Sequence, residues 1–433
     1  MKKTLLMLLM SACVGQVMAQ QKVYVCDGYN YDTYEINQAT DLKMSADKQY
    51  VTICNDTYAL QEFDSITFAE PQFEKVVIRY NGTSASVSIP QSYSGVTCAS
   101  GSSSHVVINS TNTSKEYLYS VEGTSADGSL TINGEYKLSV EFNNVELTSS
   151  KGAAVDIECG KRIDILLREG TINTLVDKAN GQQKAALYSK GHMEFKGAGI
   201  LNVTGRSKHA IGAKEYIEFK GSLGAVNILA AVSDGIHCGK GEKGNGENNY
   251  FQMNGGKVTI AGCGSDCIDS DDYGCVRIKG GELNLTVSQA DGSGIKCDSL
   301  FTMTGGNVNL NVSGRISEGI RCCYQADFNG GTITETVSGN GSRGIRGKLC
   351  NKVTDTVKNG GYLNFSGTNV SMTVSGRNDS SESQKCFGIK ADKQLKQTAG
   401  DITITVTSSD SSTKAINAAT DSWEGGTRDG KSK

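Results

Sequence analysis

Proline and tryptophan are nearly absent from this chain. Its 433 residues include 2 Pro and 1 Trp, against 52 Gly. Because proline interrupts strand pairing, its scarcity together with abundant glycine is typical of many short strands joined by tight turns. A disordered low-complexity chain is excluded, because alternating Val, Ile and Leu residues persist almost to the end. The composition therefore predicts an all-β protein.

The chain also lacks a strong net charge and a long apolar segment. The formal net charge is −3, which gives no global basic signal for nucleic acid. After the first residues, no run approaches the roughly 20 apolar residues that a membrane-spanning helix needs. We therefore expect no nucleic-acid partner and no membrane span, and any electrostatic function must come from local clusters.

The first 19 residues have the pattern of a secretory signal peptide. Lys2 and Lys3 form the charged end, residues 5–10 form an apolar run, and Val17-Met18-Ala19 forms a small-residue cleavage site. An alternative is lipid attachment at Cys13, because Met10-Ser11-Ala12-Cys13 resembles an acylation box. With either alternative, we expect an exported protein that is secreted or held at the cell surface.

A repeat of 25 residues is the strongest pattern in the sequence. Gly-Gly pairs begin at Gly255, Gly280, Gly305 and Gly330, and apolar residues alternate on both sides of each pair. A third apolar position completes each unit, and we call these residues the anchors: Ile236, Ile268, Ile295, Ile320, Ile345 and Ile389, with weaker copies upstream and downstream. Each unit thus contains three short segments of period 2, which is the period of β-strands.

Three strands in about 25 residues predict one coil of a right-handed, single-stranded parallel β-helix, because only stacked units bury their apolar faces. We assign residues 1–19 to the signal peptide and 20–72 to a small N-terminal β module or cap. Residues 73–420 are assigned to the β-helix and 421–433 to a polar C-terminal tail. Glu335 occupies a nominally inward position, so we expect a local bulge or a coil edge there.

Cysteine is frequent, but its pattern favours packing. Of the 14 Cys, 13 follow Ala19, and an odd number excludes a complete set of intrachain disulfides. Two residues after the anchors stand small residues that include Cys238, Cys297 and Cys322. We expect a buried small-residue stack there, with the disulfide status left open.

One residue after each anchor, the side chain should point outward. This column reads His237, Asp269, Lys296, Arg321, Arg346 and Lys390. Stacked like charges repel one another, and an anionic polymer with a similar repeat would compensate them. A polyuronate is one such ligand, and the alternative is a solvated basic stripe that neighbouring acids neutralise.

Acidic residues cluster beside this column. Two residues before their anchors stand Asp234, Asp266 and Glu318, and Asp269, Asp271 and Asp272 add further carboxylates. Carboxylate oxygens suit Ca²⁺, so we expect calcium here. The alternative is an acidic turn without an ion. His209 and His237 lie in different columns, which argues against a shared metal.

The units Ser233-Asp234-Gly235-Ile236 and Ser317-Glu318-Gly319-Ile320, together with the Gly-Gly-x-Val-x-Ile strands, resemble a bacterial carbohydrate-binding β-helix family that is similar to calcium-dependent pectate lyases. The resemblance covers roughly residues 150–420. It implies polysaccharide binding, with calcium first of all at Asp234 and Asp266. Cys267 stands where Gly is usual, and Arg343 stands where an acid is common.

Three functions remain open at this stage. The favoured one is noncatalytic binding of an acidic polysaccharide, with no catalytic residue. A calcium-dependent polysaccharide lyase would need a base such as Lys296 and a clamp such as Arg321 for the uronate carboxylate. A surface adhesin with a protein partner is the third. The fold hosts several of these roles, so the fold does not decide among them.

Overall fold

The computed structural model describes residues 21–38, 41–61, 63–239, 249–271, 273–349 and 360–432. The predicted signal peptide and acylation site therefore lie outside the described residues. The chain divides into two compact units, residues 1–75 and 76–433. Among the described residues, no helix is both long and apolar enough to cross a membrane.

The first unit is a small antiparallel β module. Its strands are β1 (Gln21–Asp27), β2 (Asn30–Ile36), β3 (Leu42–Met44), β4 (Tyr50–Ile53), β5 (Asp56–Ala59) and β6 (Ser65–Thr67). They form two three-stranded sheets, in the orders β2-β1-β6 and β3-β4-β5. Alternate residues of these strands, among them Val23, Val25, Val51 and Ile53, bury one face each and meet in a separate small core.

The second unit consists of strands and connecting turns. Its strands are β7 (Val76–Asn81), β8 (Ser84–Ser88), β9 (Val96–Cys98), β10 (His105–Ser110), β11 (Tyr117–Ser125), β12 (Ser129–Gly134), β13 (Leu138–Thr148), β14 (Val155–Glu158), β15 (Arg162–Leu167), β16 (Ile172–Val176), β17 (Ala185–Ser189), β18 (His192–Lys196), β19 (Ile200–Gly205), β20 (His209–Ala213), β21 (Ile217–Phe219), β22 (Ala225–Ala231), β23 (Ile236–Cys238), β24 (Tyr250–Met253), β25 (Lys257–Ile260), β26 (Ile268–Ser270), β27 (Cys275–Ile278), β28 (Glu282–Val287), β29 (Ser293–Cys297), β30 (Leu300–Val312), β31 (Glu318–Cys322), β32 (Gln325–Val337), β33 (Arg343–Gly347), β34 (Tyr362–Ser366), β35 (Asn369–Val374), β36 (Phe387–Ala399), β37 (Asp401–Val406), β38 (Lys414–Trp423), β39 (Thr427–Arg428) and β40 (Lys431–Ser432).

Equivalent strands of successive repeat units pair in parallel and in register. The anchors confirm this, because Ile236 pairs with Ile268, which pairs with Ile295, and the series continues through Ile320, Ile345, Ile389 and Ile416. Each anchor from Ile236 to Ile389 is fully buried. In-register stacking brings equivalent positions within about 4.8 Å of each other, so the columns predicted from the repeat are real neighbours.

The strand order corrects the predicted fold. We predicted a right-handed, single-stranded parallel β-helix, but the strands from β7 to β40 form a closed barrel order. The repeat indicates which strands pair in parallel, and it carries no signal for the irregular ends. There, β7 pairs with β8, β9 with β10, and β39 with β40, all antiparallel. These pairings occupy strand edges that an open helix would expose.

The Gly-Gly pairs mark a turn with one fixed backbone conformation. The second glycine of each pair has a positive φ, with values of 78° at Gly256, 84° at Gly281, 82° at Gly306 and 82° at Gly331. L-residues with a Cβ rarely adopt this conformation. The 25-residue spacing of these pairs is therefore a consequence of one turn that recurs in each of these four units.

A glycine precedes five of the six anchors, and Gly319 shows that this glycine has a packing role. A Cβ on Gly319 would collide with the carboxylate of Glu335. The missing side chain thus leaves space for the inward residue of another strand. The bulge or edge predicted at Glu335 is wrong, because Glu335 pairs in register with Leu310 and Met372 and is buried. Its two carboxylate oxygens have no hydrogen-bond partner in the described part of the chain.

The predicted small-residue stack is also confirmed. Cys238, Ser270, Cys297 and Cys322 pair in series and are buried. Cys297 and Cys322 are free thiols, and burial raises the pKa of Cys297 well above its usual range. A buried thiol at these positions is a small apolar filler.

Candidate functional site

The outward column predicted from the repeat forms one continuous charged row. His237 pairs with Asp269, Asp269 with Lys296, Lys296 with Arg321, Arg321 with Arg346, and Arg346 with Lys390. We call this row and the side chains that contact it the charged face. It divides into an acidic half, which ends at Lys296, and a basic half, which begins at Glu318 and includes Arg321, Arg346 and Lys390.

In the acidic half, the ammonium group of Lys296 is surrounded by carboxylates. Its Nζ lies 3.1 Å from Asp269 Oδ2, 3.4 Å from Asp266 Oδ2 and 3.8 Å from Asp271 Oδ1. Asp266 and Asp269 are buried, whereas Asp271 is 32% exposed. Asp272 lies outside the described residues. The predicted cluster of carboxylates is thus brought together around a cation that belongs to the chain itself.

The pKa values in this half reflect a balance of burial and charge. Burial works against the charge of Lys296, but Asp269 and Asp266 outweigh it and raise the pKa of Lys296 above its usual range. Burial raises the pKa of Asp266 to about 6, although Lys296 opposes this change. Lys296 therefore remains protonated at neutral pH, which does not suit the role of a catalytic base.

Asp234 is held by two imidazoles. Its Oδ2 lies 3.0 Å from Nδ1 of His209 and 3.0 Å from Nδ1 of His237, and its Oδ1 accepts the N–H of Asp266 at 3.1 Å. Burial would raise the pKa of Asp234, but the hydrogen bonds from both histidines hold it well below its usual range. Conversely, burial lowers the pKa of His237, but Asp234 and Asp269 outweigh it and raise that pKa to about 9.

In the basic half, two carboxylates bind the arginine and lysine side chains of the row. Glu318 contacts Nη1 of Arg346 at 2.5 Å and Nε of Arg321 at 3.5 Å. Asp392 contacts Nη2 of Arg346 at 3.4 Å and Nζ of Lys390 at 3.3 Å. The stacked cations are therefore compatible with folding, because acids from neighbouring columns separate them.

Positive charge nevertheless exceeds negative charge in this half. Arg343 and Lys348 lie beside the same two carboxylates, Glu318 and Asp392. Burial, and the charge of Arg346, lower the pKa of Arg343. Burial, and the charges of Arg321 and Arg346, lower the pKa of Lys348. Five cations thus share two carboxylates in the described part of this half.

Several residues of this face were not identified from the sequence. Arg343 stands two residues before its anchor, in the column of Glu318, and it was noted only as a departure from the motif. Lys348 and Asp392 stand three residues after their anchors, as Asp271 does. That third column was the signal that could have revealed them.

The donor atoms of the acidic half fit a divalent cation in part. Single oxygens of Asp234, Asp266 and Asp269 lie within 4.8 Å of one another. The buried Oδ1 of Asp269 has no hydrogen-bond partner among the described residues. Three carboxylates with one unused oxygen suit a hard cation such as Ca²⁺. Glu318 does not join them, because two guanidinium groups contact its oxygens.

A family model described as "Carbohydrate-binding domain-containing protein" matches residues 102–431. This match spans most of the chain and all of the charged face. The chain therefore belongs to this family of carbohydrate-binding domain-containing proteins.

Two further comparisons add little. No curated protein matches the chain. Among solved structures, a polysaccharide lyase-like protein from C. thermocellum, studied as a gadolinium derivative, aligns with 18% identity and a TM-score of 0.43. The alignment covers 68% of this chain and 99% of that chain. A similarity of this size carries no argument about the function of the present protein.

Proposed function

We propose that this protein is an exported, noncatalytic binder of acidic polysaccharide, and that the glycan lies along the basic half of the charged face. The surplus of cations over carboxylates is the observation that carries the proposal. Arg321 and Lys390 are 22% and 23% exposed, so both reach solvent. The leader-like sequence of residues 1–19 supports export.

The geometry of the row explains why a polymer is favoured over a small anion. Arg321, Arg346 and Lys390 of the basic half follow one another at about 4.8 Å, the spacing of paired strands. A uronate chain has a sugar repeat of the same order, so successive carboxylates meet successive cations. Each contact is partly exposed and weak, and affinity comes from their number along one chain.

A titration with polygalacturonate tests this proposal. We expect saturable binding that weakens at least about tenfold when Arg321 and Lys390 are both replaced by Ala, because each charge-assisted contact contributes about 1 kcal/mol or more. Lys257→Ala is the matched control, because Lys257 is an exposed cation on another column, paired with Glu282 at 3.0 Å. Equal affinity of the double variant and the control would reject the basic half as the site.

The same titration also monitors the absorbance of unsaturated uronides. A lyase would release such products, whereas a noncatalytic binder leaves the polymer intact. Lys296 is not suited as the base of a lyase, because the surrounding carboxylates keep it protonated. Product formation by the wild type would overturn the noncatalytic proposal, and its persistence in Lys296→Ala would show that another residue is the base.

We further propose that Asp266, Asp269 and Asp271 hold Ca²⁺ beside the basic half. The ion would supply positive charge next to the row and extend the surface available to a uronate carboxylate. Lys296 competes with it for the same oxygens, so we expect weak affinity. Asp234 is a poorer ligand for Ca²⁺, because two imidazole nitrogens surround its Oδ2 and the N–H of Asp266 binds its Oδ1, and Ca²⁺ takes oxygen ligands.

Chelation tests the calcium proposal. Polygalacturonate affinity should fall several-fold when Ca²⁺ is removed, and Asp269→Asn should make affinity independent of Ca²⁺, because the buried carboxylate is lost. Asp401→Asn serves as the control, since this exposed Asp lies on β37 and contacts Thr427. Retention of full calcium dependence in Asp269→Asn would place the ion elsewhere.

A further inference from the structure

Two histidines and one aspartate form a compact set of nitrogen and oxygen donors at one end of the charged face. The rings of His209 and His237 are stacked, with centroids 4.1 Å apart and planes 7° from parallel. Both rings direct Nδ1 at the same oxygen of Asp234, at 3.0 Å each. The three donor atoms lie within 4.8 Å of one another.

The strand pairing explains why residues of different columns meet. His209 begins β20, and Asp234 is the corresponding residue of the next unit, two positions before the anchor Ile236. His237 follows that anchor, and its ring turns back over the ring of His209. The separation of the two histidines into different columns therefore did not prevent their contact.

The protons available to this set do not satisfy all of its contacts. Nδ1 of His209 faces the carboxylate oxygen of Asp234 at 3.0 Å and the backbone N–H of Asp234 at 3.4 Å. If Nδ1 carries a proton, it cannot accept the backbone N–H of Asp234. If Nδ1 carries no proton, its lone pair faces the carboxylate oxygen of Asp234 without a hydrogen between them. A cation between Nδ1 and Oδ2, whether a proton or a metal ion, removes the second conflict, because both atoms direct lone pairs at it.

The donor types select the kind of cation. Two imidazole nitrogens and a carboxylate oxygen are ligands of Zn²⁺ and related d-block ions, whereas Ca²⁺ takes oxygen ligands. Metal–ligand bonds of about 2.0–2.2 Å place ligand atoms about 3–3.5 Å apart, which agrees with the observed N–O distances. Asp269 lies next to this set, since its Oδ2 is 3.7 Å from Nδ1 of His237, but that oxygen also contacts Nζ of Lys296 at 3.1 Å, so the three donors of His209, His237 and Asp234 define the site.

We propose that His209, His237 and Asp234, with Asp269 adjacent, form a binding site for a d-block divalent metal ion such as Zn²⁺. His209 and Asp234 are 3% and 6% exposed, and His237 at 20% provides access from solvent. The site is separate from the basic half and does not depend on glycan binding.

Zinc titration of the full chain tests this inference. We expect the wild type to bind one equivalent of Zn²⁺. His237→Asn and His209→Asn should each lower the affinity for Zn²⁺ at least about tenfold, because even the loss of a residue that only supports a metal ligand weakens metal binding by that factor or more. His192→Asn is the matched control. His192 is also stacked on a ring, that of Tyr216 at 4.2 Å, and also contacts a carboxylate, Glu215 at 2.9 Å, but it has no second imidazole.

Two additional measurements keep the test decisive. Zn²⁺ should raise the melting temperature of the wild type and of His192→Asn but not that of His237→Asn, which would show that the metal acts at this site. A cooperative melting transition of His237→Asn without metal would show that this variant is folded. Bound Co²⁺ should give a spectrum without thiolate charge-transfer bands, because none of the proposed ligands is Cys. Zinc binding that is unchanged in His237→Asn, a thiolate spectrum, or displacement of Zn²⁺ by an equal concentration of Ca²⁺ would each overturn the inference.

Discussion

Replacement of Glu318 by Gln is expected to lower the free energy of unfolding by about 3–5 kcal/mol, the cost of removing one partner from a buried ion pair. The side chain of Glu318 is 7% exposed, and that of Arg346 is 14% exposed. Burial works against the charge of Arg346, yet Glu318 and Asp392 outweigh it and raise the pKa of Arg346. Without Glu318, the guanidinium groups around it lose their nearest compensating charge.

The same variant separates stability from ligand binding. Because the glutamine side chain is neutral, the surplus of positive charge in the basic half increases by one. We therefore expect Glu318→Gln to bind polygalacturonate more tightly than the wild type at low salt, with a steeper decrease as salt is added. A change that lowers stability and raises affinity together is not expected from general damage to the fold.

Glu282→Gln provides the matched control for stability. Glu282 contacts Lys257 at 3.0 Å, but the two side chains are 39% and 54% exposed. Water screens this pair, so its loss should cost at most about 1 kcal/mol. Guanidinium unfolding curves of the wild type, Glu318→Gln and Glu282→Gln measure the difference in the free energy of unfolding, provided that the slope m of free energy against denaturant concentration is the same for all three. Equal midpoints for Glu318→Gln and Glu282→Gln would show that the buried network does not stabilise the protein.

Replacement of Glu335 by Met should stabilise the protein by about 1–3 kcal/mol at pH 8, the usual cost of a buried polar group without a partner. Glu335 lies between Leu310 and Met372, above Gly319. A Met side chain is apolar, flexible and of similar length, so it should occupy the same space. Few substitutions in a packed core are expected to raise stability, which makes this result specific to the buried carboxyl.

The effect of Glu335 on the free energy of unfolding should depend on pH. Burial raises the pKa of Glu335 well above its usual range, so the folded protein retains a proton that the unfolded chain releases. Glu335 therefore reduces stability progressively as the pH rises above about 4.3, the ordinary Glu value, and it has no such effect below that pH. The advantage of Glu335→Met should be largest at pH 8 and smallest near pH 4.

Glu335→Gln distinguishes charge from polarity. This variant removes the titration but keeps two polar atoms without partners, so it should abolish the pH dependence and give less stabilisation than Met. Thermal unfolding at pH 4, 6 and 8 measures both effects. If the wild type and Glu335→Met lose stability in parallel from pH 4 to pH 8, the carboxyl is not held protonated in the core.

The repeat alone determined which residues share a column. Period 2 within strands and a 25-residue unit place Lys296, Arg321 and Arg346 one above another, and in-register pairing requires nothing else. The all-β class and the buried Cys column follow from the same two periods. These features depend on the local pattern of apolar residues and on contacts between equivalent positions of successive units. Both can be predicted directly from a sequence repeat.

The contacts between columns were decided only by the tertiary structure. The sequence predicted an acidic cluster beside the basic column but not the individual ion pairs, in which Lys296 lies among the carboxylates and Glu318 lies among the arginines. The distances between neighbouring columns and the side-chain rotamers determine these ion pairs, and the period of the repeat predicts neither. The stacking of His209 on His237 arises in the same way, since one ring turns across to the neighbouring column.

The closure of the sheet was likewise beyond the repeat. A parallel β-helix was predicted because the repeat contains only parallel neighbours, while the end strands pair antiparallel through segments without the 25-residue period. Glu335 shows the same limit within the core, because an acid at an inward position predicted a bulge and the chain instead retains its register. Sequence period determines the columns of this protein, and the packing of one column against the next determines its charged face.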